Sequence, residues 1–220
     1  MSISFERVKK DPAVRAYIQK ADETLIALGY TEHSFAHVTK VAVTAARILK
    51  ELGRSEHEQE LAAVAGFLHD IGNIVNRVGH AQSGSLMAFD ILNAHGIPPE
   101  DIAAVSTAIG HHDEGTAFPV TDVTAALIIA DKTDVRRTRV RNKDTIALDI
   151  HDRVNYAVVK SDLQIDAQAA VIKLDLTIDT TVSLISEYFE IFLSRMLLCR
   201  KAAERLGLRF GLVINGQHMM

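Results

Sequence analysis

Five histidines and two aspartates carry the chemistry available to this chain: His37, the pair His69-Asp70, His80, the pair His111-His112, and Asp131. They recur in the order H…HD…H…HH…D, each beside or within an apolar helical stretch. Buried imidazoles and carboxylates are unfavourable unless paired, and a metal ion is a partner that accepts both types at once. Singly, each has a plain structural reading. His37 shares a helix face with Val41 and Ala45 and reads as a hydrogen-bonded core histidine. His80, beside Gly79, reads as a surface histidine, and His111-His112 as a solvated helix end. Asp131 reads as a salt-bridge partner of Lys132 or a nearby arginine. Together, the plain readings require every one of these placements to be accidental. The set exceeds what one tetrahedral zinc needs and fits two ions sharing a carboxylate, with water in the remaining positions. Imidazole plus carboxylate suits iron and manganese first, and accommodates zinc, nickel or cobalt. Neighbours on a helix point about 100° apart, so His111 and His112 reach one ion together only if the helix is distorted. His111 is the preferred ligand of the two.

Helices must position these groups. Asp11-Pro12 starts a helix that ends near Gly29, and Thr31 caps the next, which runs to Gly53. Ser55 and Glu58 form a capping box for a helix that ends at His69-Asp70. A connector holding Gly79 and Gly84 leads to a helix over 85–95, and Pro98-Pro99-Glu100 starts one that reaches His111-His112. Asp113–Thr121 is a loop, and Asp122 opens a helix through Asp131. After Asp149 the period changes. Val154, Tyr156 and Val158, and then alternate residues over 170–178, predict a two-stranded hairpin. Asp179 or Thr180 caps a long helix with a seam at Val182, Ile185, Phe189, Phe192, Met196, Cys199, Ala203 and Leu206. Gly207 stops it, and Arg209–Ile214 is a last strand. The expected architecture is mainly α: a helical domain over 1–145 carrying the metal site, then a β-β-α-β module over 150–216. The seam is expected to pack on the helical domain, with a homodimer interface as the alternative. Cys199 reads as a small buried hydrophobe.

Composition narrows the class. Of 220 residues, 48% are hydrophobic and 24% charged, as in ordinary globular proteins. A net charge of −4 provides no global basic field, so a nucleic-acid duplex is not an expected partner. The lone cysteine excludes an internal disulfide, the N-terminus lacks the apolar core of a signal peptide, and no apolar run approaches a membrane span. A cytoplasmic location is the expectation.

The order of motifs resembles the HD-domain phosphohydrolase superfamily over roughly 31–141. His37, His69-Asp70 and Asp131 match its H…HD…D signature, and His80, His111 and His112 match the extra histidines of its binuclear members. The resemblance implies an all-helical bundle around the metals. It implies that His37, His69, Asp70 and Asp131 hold one divalent ion, and that His80, His111 and His112 hold a second with Asp70 bridging. The implied substrate is a phosphorylated small molecule of nucleotide type, cleaved at a phosphate ester or anhydride. Departures narrow the choice. No GYP follows the paired histidines, where cyclic-di-GMP phosphodiesterases carry one. Asn73 stands where many members have the lysine of HDIGK. The acidic pair that (p)ppGpp hydrolases carry after HD is also missing. Ile129-Ala130-Asp131-Lys132 is similar to the segment in small bacterial members that cleave diadenosine polyphosphates.

Lys132, next to a ligand, is expected to contact phosphate during catalysis, alongside Asp70. Arg136 and Arg137 are expected to bind a second phosphate or the leaving group, unless the basic run 136–141 is a solvated face. The alternatives are a di-iron oxygenase, since some HD proteins use nearly the same ligands, and a non-catalytic metal-binding sensor or assembly protein.

Overall fold

The computed structural model of the chain describes residues 3–141, 144, 146 and 148–220. The expected break between the two parts, 145–150, falls partly outside these. The first part is a helical bundle: α1 (Phe5–Lys10), α2 (Pro12–Ala27), α3 (Phe35–Glu51), α4 (Glu56–Leu68), α5 (His80–Ala94), α6 (Pro99–Gly110) and α7 (Asp122–Lys132), with a 3-10 turn at Ile71–Ile74. Local signals start these helices. The Asp11 carboxylate accepts from the Ala13 and Val14 amides, and Ser55 and Glu58 form their reciprocal capping box. The cap of α3 is Ser34, not Thr31, because Ser34 Oγ accepts from Ala36 N.

Helix α4 is the axis of the bundle. Every residue from Leu61 to Leu68 is buried, and α3, α6 and α7 surround it. It approaches α3 closely: a Cβ on Gly66 would stand 2.7 Å from Ala42 Cα. That contact brings the end of α4 against the start of α3, so His69 meets His37.

The second part comprises α8 (Ile150–Ala157), β1 (Val158–Asp166), β2 (Val171–Ile178), α9 (Ile185–Arg205), β3 (Arg209–Ile214) and β4 (Gln217–His218). The strand order is β1-β2-β3-β4, with β1 antiparallel to β2, β2 parallel to β3 through α9, and β4 antiparallel to β3. The strand expected at Val154–Val158 is instead helix α8 followed by β1. Asp149 caps α8 by accepting from His151 N and Asp152 N, and Val154 and Ala157 are buried at helical spacing. Helix α9 begins at Ile185, later than expected, because Thr180 to Leu184 form a turn and its approach, and Glu187 accepts from Leu184 N. Its buried face holds Tyr188, Phe192, Met196, Cys199, Ala202 and Ala203. The seam residues Val182, Ile185 and Phe189 are only half-buried, and Tyr188 takes the place expected of Phe189. This face lies on α7, so the seam packs within the chain, and one continuous apolar core runs through both parts. Among the described residues no helix is long and apolar enough to cross a membrane.

Arg153 ties α8 to α9 with its Nη2 2.6 Å from Glu187 Oε1. Hydrogen bonds from Arg153 and then Ser183 hold the Glu187 carboxyl down at about 2. A carboxyl lowered by folding stabilises the fold above its ordinary pKa and stops doing so as pH falls through the folded value. Glu187→Gln is therefore expected to lower stability above about pH 5, with the gap to the unsubstituted protein closing towards pH 2. Urea melts across that range check this, and a gap independent of pH would show the contact is not electrostatic.

Candidate metal centre

Six residues converge where α3, α4, α5, α6 and α7 meet. His37 comes from the first turn of α3, His69 caps the C-terminus of α4, and Asp70 follows it. His80 opens α5, His112 follows the end of α6, and Asp131 lies in the last turn of α7. His37 Nε2 is 3.7 Å from Asp70 Oδ2 and 3.4 Å from Asp131 Oδ1. His69 Nε2 is 3.2 Å from Asp70 Oδ2 and 3.7 Å from Asp131 Oδ1. An ion with ligands at roughly 2.1 Å sets tetrahedral neighbours about 3.4 Å apart, so these four atoms have the spacing of a ligand shell. His37 Nε2, His69 Nε2 and Asp70 Oδ2 are buried with no hydrogen-bond partner among the described residues. Three orphaned polar atoms facing one another would be strongly unfavourable unless something binds them.

A second group shares Asp70. Its other oxygen, Oδ1, is 3.6 Å from His80 Nε2, which is 3.3 Å from His112 Nε2. His80, expected in an irregular connector, is instead the first residue of α5. Gly79 before it adopts φ +74°, which starts the helix there. The 3-10 turn after Asp70 is pressed onto that start: a Cβ on Gly72 would stand 2.0 Å from His80 O and 2.5 Å from Gly84 N. Because backbone must give way, Gly72→Ala is expected to lower stability by about 3 kcal/mol and to separate His80 from Asp70. Urea denaturation measures this, and a loss under about 1 kcal/mol would show that the turn has room to shift.

Each imidazole has its outer nitrogen engaged. Nδ1 of His69 donates to Gly66 O at 2.8 Å, of His80 to Arg77 O at 3.0 Å, and of His112 to Ile109 O at 2.6 Å. A carbonyl only accepts, so these Nδ1 atoms carry the proton and each Nε2 presents a lone pair to the centre. His37 Nδ1 is held by the buried Asp134 carboxylate at 2.8 Å. Burial, and then the neighbouring His69, keeps His112 well below the ordinary imidazole value. Burial alone would push the Asp70 and Asp131 carboxyls up. His69 beside Asp70 and Lys132 beside Asp131 outweigh it, and both lie well below the usual carboxylate range. Neutral imidazoles and ionised carboxylates are the forms that ligate metals.

Other residues singled out in the sequence lie elsewhere. His111 is half-buried at the C-cap of α6 and belongs to none of these clusters. The chain leaves the helix there (φ −111°, ψ 17°), and the Nδ1 bond to Ile109 O turns His112 inward, reversing the expected preference. Arg136 is spent on Asp134 and Glu32, with Nε and Nη2 at 2.9 and 3.2 Å. Arg137 donates to Tyr156 O at 2.6 Å and stacks on that ring. Neither lines the cavity at the centre, whereas Arg139 from the same run does. Lys132 lines it too, with Nζ 2.7 Å from Asp131 Oδ2.

Sequence reasoning missed Asp134 and Arg77, and read Asn73 only as the absence of a lysine. Asn73 Nδ2 donates to Asp70 Oδ1 at 3.0 Å, and Arg77 Nη1 to Asn73 Oδ1 at 3.3 Å. The legible signal for Asp134 was its place three residues after Asp131, just past the end of α7. A larger cavity of about 350 Å³ adjoins the centre, sharing Thr31, Arg77, Asn155 and Arg195 with it. Tyr30 and Phe192 supply its aromatic wall, and Asp149, His151 and Asp152 polar groups.

Residues 34–154 match the HD-domain family, more than half of the chain, and the chain belongs to that family. A solved structure similar to it is that of a predicted HD superfamily hydrolase from an uncultured Thermotogales bacterium. It shares 23% identity, covers 60% of this chain and 73% of the other, and superposes with a TM-score of 0.44. No curated protein matches the chain.

Proposed function

We propose that the protein is a metal-dependent phosphohydrolase acting on a phosphate ester or anhydride of a nucleotide-type substrate. In this reading His37, His69, Asp70 and Asp131 hold one divalent ion, and Asp70, His80 and His112 a second. The observation that carries it is Asp70, whose two oxygens face two separate sets of inward imidazole nitrogens. Iron or manganese suits this mix of nitrogen and oxygen ligands, and zinc, nickel or cobalt is compatible. When bound, such ions lower the pKa of a water and polarise a phosphoryl oxygen.

The chain's own residues supply the rest. Lys132, Arg77, Arg139 and Arg195 all line the cavity over the centre. Cations so placed attract a phosphate group and balance charge that builds on its oxygens during displacement. Lys132 also fixes Asp131 through Oδ2, leaving Oδ1 towards His37 and His69. The adjoining cavity lies within the usual range for small-molecule sites. Its polar residues suit hydroxyl or amino groups. This concentration of cations favours a phosphorylated substrate over the oxygenase and sensor readings.

Protein purified anaerobically and loaded with Mn²⁺ or Fe²⁺ is expected to hydrolyse at least one of a panel of nucleotide monoesters, diesters and dinucleoside polyphosphates. Chelation should remove the activity. Silence across the panel with both ions bound would overturn the reading, and oxygen uptake with a mixed-valent iron signal would replace it with an oxygenase.

A further inference from the structure

Arg195 lies outside the stretch matching the HD-domain family, yet it lines both the cavity at the centre and the larger one beside it. It projects from α9, where its guanidinium lies 4.6 Å from the ring centroid of Phe192, a buried residue one turn earlier. Its Nε is 2.7 Å from Glu114 Oε1. The same oxygen is 3.4 Å from Lys132 Nζ. One carboxylate oxygen from the loop after His112 therefore sits between two cations beside the centre.

This contact is incomplete as a structural ion pair. Arg195 Nε is a buried atom without a hydrogen-bond acceptor in line, although Glu114 is near enough for charge attraction. A guanidinium fixed for structure alone usually meets a carboxylate through aligned bonds. Glu114 is borne on a loop whose next residues, Gly115 and Thr116, are exposed, so its side chain can leave without unpacking a helix. Phenylalanine stacking holds Arg195 in place whether Glu114 is there or not. A phosphate group carries more charge than a carboxylate and more acceptor oxygens, so it has the advantage in reaching Arg195 and Lys132 together.

Resting on the phosphohydrolase reading for the identity of the anion, we propose that Arg195 and Lys132 form a phosphate subsite. Glu114 occupies it until substrate displaces the carboxylate. The C-terminal module is then part of the active site, because α9 supplies one of the two cations. Glu114 is a built-in competitor for that place.

Calorimetric titration of inorganic phosphate into the full-length, metal-loaded protein tests this, since phosphate binds without being turned over. Arg195→Gln is expected to weaken phosphate binding about tenfold or more, and Arg195→Lys to restore part of it. Glu114→Gln is expected to tighten phosphate binding several-fold, the opposite sign, because the competing charge is gone. A pair that only braced the loop would weaken binding in both variants or change it in neither, and either pattern overturns the proposal. Thermal melts within a few degrees of the unsubstituted protein show that the variants fold. For any ester the enzyme cleaves, Arg195→Gln should lower kcat/KM, with Arg195→Lys restoring part of it. Opposite-signed effects on phosphate binding, with no ester cleaved, would leave the subsite standing and remove the hydrolase. Metal-dependent cleavage with phosphate affinity indifferent to both substitutions would do the reverse.

Discussion

Asp70→Asn is expected to lower kcat about 10³-fold or more and to reduce bound metal, while the fold persists. Asp70 is 5% exposed, and its two oxygens serve different neighbours. Oδ2 faces His37 and His69, and Oδ1 faces His80. Asparagine has the same shape but one oxygen. Whichever way its amide turns, an NH₂ group points at one of the two sets of imidazole nitrogens. One ion then loses a charged ligand. His69 also loses its nearest negative neighbour. The loss should therefore appear in metal content per chain as well as in turnover. Atomic spectroscopy and steady-state kinetics on the same preparation check it. Full metal occupancy with unchanged kcat would remove Asp70 from the centre.

Asp134→Ala is expected to destabilise the fold by about 3 kcal/mol and to weaken metal binding about 10- to 100-fold. Asp134 is 2% exposed and touches no cavity at the centre, but the supports of the centre meet on it. Its Oδ2 holds His37 Nδ1 at 2.8 Å, while Oδ1 meets Lys40 Nζ at 2.8 Å and Arg136 Nε at 2.9 Å. Arg139 lies alongside, with Nη1 4.0 Å from Oδ2 and donating to the Asp134 carbonyl. Alanine leaves the buried Arg139 charge without this counterion and frees the His37 ring to turn. Asp134→Asn separates the two effects. It keeps an acceptor for His37 Nδ1 and removes the charge, so it should lose stability while retaining more of the metal affinity. Urea denaturation of the metal-free protein and competition with a chelator measure the two quantities independently. Equal metal affinity in the alanine variant and the unsubstituted protein would show that His37 needs no such support.

Much of this could be read from local chemistry. Ser55 and Glu58 announce a helix start whatever lies around them, and the apolar run Leu61–Leu68 announces a helix that must be central. His37, His69, Asp70, His80, His112 and Asp131 were conspicuous by type and order, and these are the residues the fold gathers. The misreadings share one cause. At 150–157 the spacing of Val154, Tyr156 and Val158 suits a strand, but the Asp149 cap and the burial of Val154 and Ala157 make it a helix. The run from Arg136 to Arg141 shows four arginines in six positions without saying where any side chain goes. Arg136 meets Glu32, and Arg139 donates to Glu32 O, 107 residues away in sequence.

The sequence by itself determined the kinds of groups present, the helices that carry them and the membership in the HD-domain family. These follow from short-range rules, in which a cap, a period or a motif acts over a few residues. Only the tertiary structure decided which of two adjacent histidines turns inward, which arginines of a basic run reach the site, and that Arg195 of a separate module joins them. Those outcomes depend on the direction of a side chain at a helix end and on contacts between segments far apart in the chain, where local propensity has no hold.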